Sequence, residues 1–164
     1  MSRGPGSLLG RVLSGPSGLF SYGEMWNDPA LQAAEMPSSN GIGTARALAR
    51  IYAATIGEVD GVRLLAPETV AAASASQMHG PDRVLRLPTH FGLGFMLPPT
   101  LCADLPDGAF GHPGAGGSLG FADPVHGLAF GYAMNQMQLG LLGDPRAERL
   151  VSAAYASLSA RTGR

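Results

Sequence analysis

At 164 residues, with 45% hydrophobic and only 14% charged residues, the chain is too apolar to stay disordered and long enough to bury about two thirds of its unfolded surface as one domain. Its formal net charge is −1 and all eleven basic residues are arginine, scattered singly or as the pair Arg46/Arg50, so no basic stripe is on offer to nucleic acid. Cys102 is the lone cysteine, which excludes an intrachain disulfide, and no apolar run reaches the length of a signal peptide or a membrane span; a cytoplasmic location is the default expectation.

Residues 1–43 are rich in Gly, Ser and Pro without a sustained period, and the turn chemistry of Pro37-Ser38-Ser39-Asn40-Gly41 closes this loosely structured stretch. Thr44 is a candidate N-cap for a helix to about Ile56. Leu48, Ile51, Tyr52 and Thr55 recur there at helical spacing, Arg46 and Arg50 fall on the solvent side, and Gly57 is the stop. A second, shorter helix starts at Pro67 with Glu68 near its positive end. His79 and His90 read as surface loop residues. From Phe91 the period changes, and the alternation of large residues with glycine in Phe91-Gly92-Leu93-Gly94-Phe95-Met96-Leu97, closed by Pro98-Pro99, predicts a strand.

A short segment follows from Ala109 to His112, then Gly117–Ala122, a loop Asp123-Pro124-Val125-His126-Gly127, and Leu128–Asn135; the last two predict an antiparallel hairpin. Leu128, Phe130, Tyr132 and Met134 share one face of the return strand. Ala129, Gly131 and Ala133 on the other are small enough to admit a close-packed helix, and the next segment is a candidate for it. Asp144 caps that helix, Pro145 takes its first position, and Leu150, Val151, Ala154 and Leu158 form its apolar stripe. The order of elements predicts an α+β fold, an antiparallel sheet with flanking helices.

The densest local signal is His112-Pro113-Gly114-Ala115-Gly116-Gly117. Its three glycines leave backbone N–H groups bare for a ligand oxygen. With Asn40-Gly41-Ile42-Gly43-Thr44-Ala45 opening a helix, Leu64-Leu65-Ala66-Pro67-Glu68-Thr69, and Phe91-Gly92-Leu93-Gly94-Phe95 in that order, the stretch from about residue 38 to 160 resembles the serine β-lactamase-like hydrolases. That family includes class C β-lactamases, related carboxylesterases and penicillin-binding proteins. The resemblance covers the C-terminal part of such a domain, with residues 1–37 a poorly defined segment before it, and implies an incomplete β-lactamase/transpeptidase-like fold.

In that family a Lys-Thr-Gly or His-x-Gly triplet begins a pocket-lining strand, and a Ser-x-x-Lys motif supplies the nucleophile. His112-Pro113-Gly114 stands at the triplet. No Ser-x-x-Lys exists in a lysine-free sequence, and Tyr155-Ala156-Ser157, the single match to the Tyr-x-Ser pattern, falls inside the last helix. The resemblance therefore implies a wall of the site: His112 as a polarising or hydrogen-bonding side chain, the Ala115 N–H as an oxyanion donor, and Gly114, Gly116, Gly117 and Asn135 as substrate-contacting positions. Pro113 in place of threonine or serine removes a hydroxyl and an amide donor, which favours esters over β-lactams. The implied partner is a small ester or β-lactam-like substrate, with an N-terminal fragment or a second copy completing the sheet, and no cofactor. The alternative is a non-catalytic pseudoenzyme that keeps the wall for ligand or protein recognition. A triad of His112, Asp123 and Ser118 is disfavoured because Ser118 lacks a strand-to-helix elbow, and the four histidines have no zinc-ligand spacing.

Overall fold

The computed structural model describes residues 6–14, 24–140 and 142–162. By density of contacts, residues 1–43 with 81–87 form one group and residues 44–80 with 88–164 a second. The first group carries more regular structure than its composition predicts. Helix α1 (Leu8–Leu13) is capped by the Ser7 side chain, a 3₁₀ turn spans Glu24–Asn27, and Asp28 caps α2 (Pro29–Ala33). These are single-turn pieces held by local side-chain bonds, such as the Asn40 amide donating to the Leu31 carbonyl at 2.8 Å. A propensity reading cannot see such bonds.

The second group is built on a three-stranded antiparallel sheet of β3 (Phe110–Pro113), β4 (Leu119–Asp123) and β5 (Leu128–Tyr132), in that spatial order. His112 pairs with Gly120, which pairs with Gly131. Side chains in register across antiparallel strands share a face. Phe121 and Phe130 stack 5.2 Å apart on one face, together with Leu119 and Tyr132, over Val151 and Tyr155 of α5 (Pro145–Thr162). The opposite face carries Phe110 and Ala122, against Tyr52 and Ile56 of α3 (Ala45–Ile56).

This arrangement corrects the expected partner of the small residues on β5. They receive α3, not the C-terminal helix. A Cβ at Gly131 would strike the Ala45 carbonyl and the Ala49 amide, and one at Gly120 would strike the Tyr52 ring. Within α3, Thr44 caps the helix by accepting from the Ala47 N–H at 3.1 Å. The packed stripe runs through Leu48, Ala49, Tyr52 and Ile56, whereas Ile51 is 53% exposed, because closing on two bare glycines rotates the face by about one residue from the predicted one. Arg46 and Arg50 face solvent, and Arg50 pairs with Asp60.

The predicted strand Phe91–Leu97 is also corrected. Helix α4 (Pro67–Ser74) leads into β1 (Met78–Pro81), which pairs with β2 (Pro88–Phe91). The chain then turns: Gly92 N–H donates to the Phe95 carbonyl at 2.9 Å and Gly94 sits at φ +83°, so that Met96 bridges back to Phe91 and onward to Gly111. Glycine alternation here served a turn. His79 and His90 accordingly lie on paired strands, with their rings stacked 4.5 Å apart, and not in loops.

Candidate active site

The segment 112–118 closes one end of the sheet, where β3 turns into β4. Gly116 (φ +90°) and Gly117 (φ +120°) hold backbone conformations that other residues seldom adopt. The Gly114 N–H donates to the Ser118 carbonyl at 2.7 Å, Gly117 to the Gly114 carbonyl at 3.1 Å, and Gly116 to the Gly140 carbonyl at 3.2 Å. Among the described residues the half-buried Ala115 N–H has no partner. Three of four consecutive amides are thus spent, two inside the turn and one on the returning chain, and the fourth stays available to an acceptor from outside.

Gly116 and Gly117 are buried beneath the chain that returns from β5. A Cβ at 116 would meet the Met137 side chain, and one at 117 the Asp144 carboxylate and Arg146. Arg146 donates to the Gly116 carbonyl at 3.2 Å, to the Gln136 carbonyl at 2.7 Å, and to Asp144 at 2.6 Å. That guanidinium holds the Asp144 carboxyl well below the usual carboxylate range, at about 2. Asp144 also accepts from the Arg146 backbone N–H, so the cap that starts α5 also anchors the turn. Asn135 is exposed in the bend just past β5, at the same end of the sheet.

His112 is the exposed side chain of an otherwise buried β3, on the face that carries α3. Its Nδ1 lies 2.7 Å from the Pro113 carbonyl oxygen. A carbonyl only accepts, so Nδ1 bears the proton and the neutral ring presents Nε2 as an acceptor, turning donor there only when protonated. Burial pushes the Tyr52 phenol up, an effect the neighbouring His112 backbone partly offsets. Pro113 occupies the outward position of the edge strand, two residues beyond Gly111, whose N–H and carbonyl both bond Met96. A residue with no N–H fits there without losing a ladder bond.

Asp123 lies elsewhere, at the far end of the sheet. It is fully buried and accepts from the backbone N–H groups of Val125 (2.9 Å) and His126 (3.1 Å), from His126 Nδ1 (2.7 Å) and from the Tyr155 hydroxyl (2.6 Å). Its donors are therefore not His112 and Ser118, and Tyr155 is engaged in a clamp between hairpin and helix. Burial first, then this carboxylate, raise the Tyr155 hydroxyl far above its ordinary value. Sequence reading missed the clamp. The Asp-x-x-His spacing in a hairpin loop, with a tyrosine on a following helix, was the available signal. Among the described residues no group of three His, Cys, Asp or Glu could hold a metal, and no helix is long and apolar enough to cross a membrane.

A family model described as Beta-lactamase matches residues 6–155. The chain belongs to the beta-lactamase family. Within it, the chain is 43% identical over 107 residues to the esterase/beta-lactamase LipL of Mycobacterium tuberculosis, covering 63% of this chain and 24% of that protein. Among solved structures it is similar to EstA from Arthrobacter nitroguajacolicus, with TM-score 0.82 and 33% identity over all of this chain and 44% of that one. A family VIII carboxylesterase matches with TM-score 0.73 and 41% identity over 79% of this chain and 36% of that one. A penicillin-binding protein homologue from Caulobacter crescentus gives TM-score 0.74 and 40% identity, over 87% of this chain and 38% of that one. This beta-lactamase-family chain spans under half the length of each of these relatives, and its α+β architecture is that part of the β-lactamase/transpeptidase-like fold.

Proposed function

We propose that these residues form the C-terminal portion of an esterase-like serine hydrolase of the beta-lactamase family, supplying one wall of the acyl pocket, and that they do not turn over esters by themselves. The observation that carries this reading is the unpartnered Ala115 N–H, next to the exposed His112 on an edge strand and flanked by amides already bonded. An amide so placed suits the developing negative charge of a tetrahedral intermediate. The attacking serine and its lysine base belong to residues outside this sequence, which contains no lysine. Esters are favoured over β-lactams because Pro113 offers neither a hydroxyl nor an N–H to a substrate carboxylate. The name of the family VIII carboxylesterase agrees with that preference, while LipL is named for both activities.

A missing segment also accounts for Met137 and Leu139, which are 61% and 106% exposed beside the turn. We infer that either an N-terminal fragment or a second copy covers them. The test is hydrolysis of p-nitrophenyl butyrate by the chain alone and after mixing with a family fragment that carries Ser-x-x-Lys. Steady turnover is expected in the mixture only, and is lost when the fragment's serine or lysine is replaced. Steady turnover by the chain alone, or none from a mixture that demonstrably associates, overturns the reading.

A further inference from the structure

Away from the triplet, Ser76 Oγ lies 2.9 Å from His90 Nε2, and His90 Nδ1 lies 2.6 Å from the Pro98 carbonyl oxygen. Three separate pieces of chain meet here: the segment after α4, strand β2, and the segment after Met96. The Pro98 carbonyl decides how the protons are arranged. It can only accept, so Nδ1 carries the hydrogen, Nε2 of the neutral ring is a lone pair, and Ser76 must be the donor in the Ser76–His90 bond. A serine donating to an imidazole whose other nitrogen is fixed by a third group is the arrangement that activates a hydroxyl nucleophile. His79, stacked on the ring at 4.5 Å with the planes 22° apart, holds the imidazole in this orientation from its face.

Two further features suit a reaction here. Ser76 is exposed, so a reagent can reach its oxygen. Beside it opens a shallow, half-open cleft of about 210 Å³ lined by Leu97, Pro98, Gly108, Ala109 and the exposed Asp107, with room for a short acyl chain. The Asp107 carboxylate disfavours an anionic one.

We propose that Ser76, with His90 as its base and the Pro98 carbonyl as the orienting acceptor, is a second nucleophilic site that takes an acyl group from activated esters of short neutral acids. The serine oxygen bonds to the ester carbonyl carbon as its proton passes to His90 Nε2. The bond from that carbon to the leaving oxygen then breaks, and the imidazolium returns the proton to the departing alkoxide or phenoxide, which leaves acyl-Ser76 and a neutral ring. The step is one acyl transfer to the chain. It needs neither the triplet strand nor a completing fragment.

The experiment uses the whole chain alone with an alkyl fluorophosphonate, which traps the same nucleophile irreversibly: the Oγ–P bond forms, the P–F bond breaks, and fluoride leaves. Intact mass should show one adduct per chain, and peptide mapping should place it on Ser76. Ser76→Ala should lose the adduct, and His90→Gln should slow labelling by about 10²-fold, at the lower end of what a positioned base contributes. Ser76→Cys, which keeps a nucleophile in place, should instead be alkylated by iodoacetamide faster than the same thiol in the His90→Gln background. Adducts spread over several serines, labelling at Ser76 that is unchanged in His90→Gln, or no adduct on a chain whose circular dichroism matches the native fold would each overturn the proposal. The reading of the triplet wall is judged by steady turnover in a mixture, so either result can fail while the other stands.

Discussion

Asp123 shows how much one buried carboxylate can organise. Four donors from the hairpin loop and from α5 converge on its two oxygens, so its removal takes the acceptor from the half-buried Tyr155 hydroxyl and from two backbone N–H groups of the loop. Asp123→Ala should therefore cost about 3 kcal/mol or more, and Tyr155→Phe, which removes a single bond to a charged group, about 1.5–3 kcal/mol, both read from urea unfolding. The pH dependence follows from which state holds the proton. Asp144 is held at about 2 by Arg146, below its unfolded value of 3.8, so its contribution is complete above the unfolded value and disappears as pH falls through about 2. The urea midpoint should accordingly drop between pH 4 and 2, and Arg146→Met should flatten that limb. Tyr155 is displaced the opposite way: the folded chain keeps its proton where the unfolded chain, with its ordinary value of 10.0, releases it. Stability should decline above that pH more steeply in the native chain than in Tyr155→Phe, where the half-buried Tyr52 phenol still contributes. At the triplet, in the completed hydrolase proposed above, His112→Ala should lower kcat/KM for short esters by about 10²-fold, the loss expected for one positioned polar group.

At the scale of elements, what was legible in the sequence follows from the signals each segment carries. Helices α3 and α5 were readable because Thr44 and Asp144 are side-chain caps at the right places, and the β4–β5 hairpin because Asp123-Pro124 breaks two apolar runs. Phe91–Leu97 was misread because glycine alternating with large residues suits a strand facing a tight neighbour as well as a turn that needs positive φ at Gly94. Telling them apart requires knowing that Gly92 lies against the Ala73 carbonyl, a contact between distant parts of the chain. The candidate wall was legible in the same uneven way. The motif located the turn, but which of its amides stays unbonded depends on Gly140 closing in from elsewhere. Two substitutions test the packing. Thr44→Ala should cost about 1 kcal/mol as a lost cap, and Gly131→Ala should cost about 1–3 kcal/mol because the methyl meets backbone of α3, lowering the melting temperature by several degrees.

Over the whole molecule, the second group of residues reads as a sheet with a helix on each face, its triplet turn braced by the Asp144–Arg146 pair and its opposite end clamped by Asp123. A scaffold pinned at both ends can keep its shape while the residues around the wall come from elsewhere, as the share of each relative that it spans requires of the reading proposed here. Sedimentation velocity should show association rising with concentration, reduced by Leu139→Ser, if the exposed pair at Met137 and Leu139 is the surface that seeks a cover. The bare positions under α3 have a further consequence, for the way this chain can drift over generations. A side chain gained at 120 runs into the ring of Tyr52, which a second change could shorten, whereas one gained at 131 runs into main-chain atoms that no second change can trim. Suppressor screens should thus recover compensating partners for the first lesion and only reversion for the second.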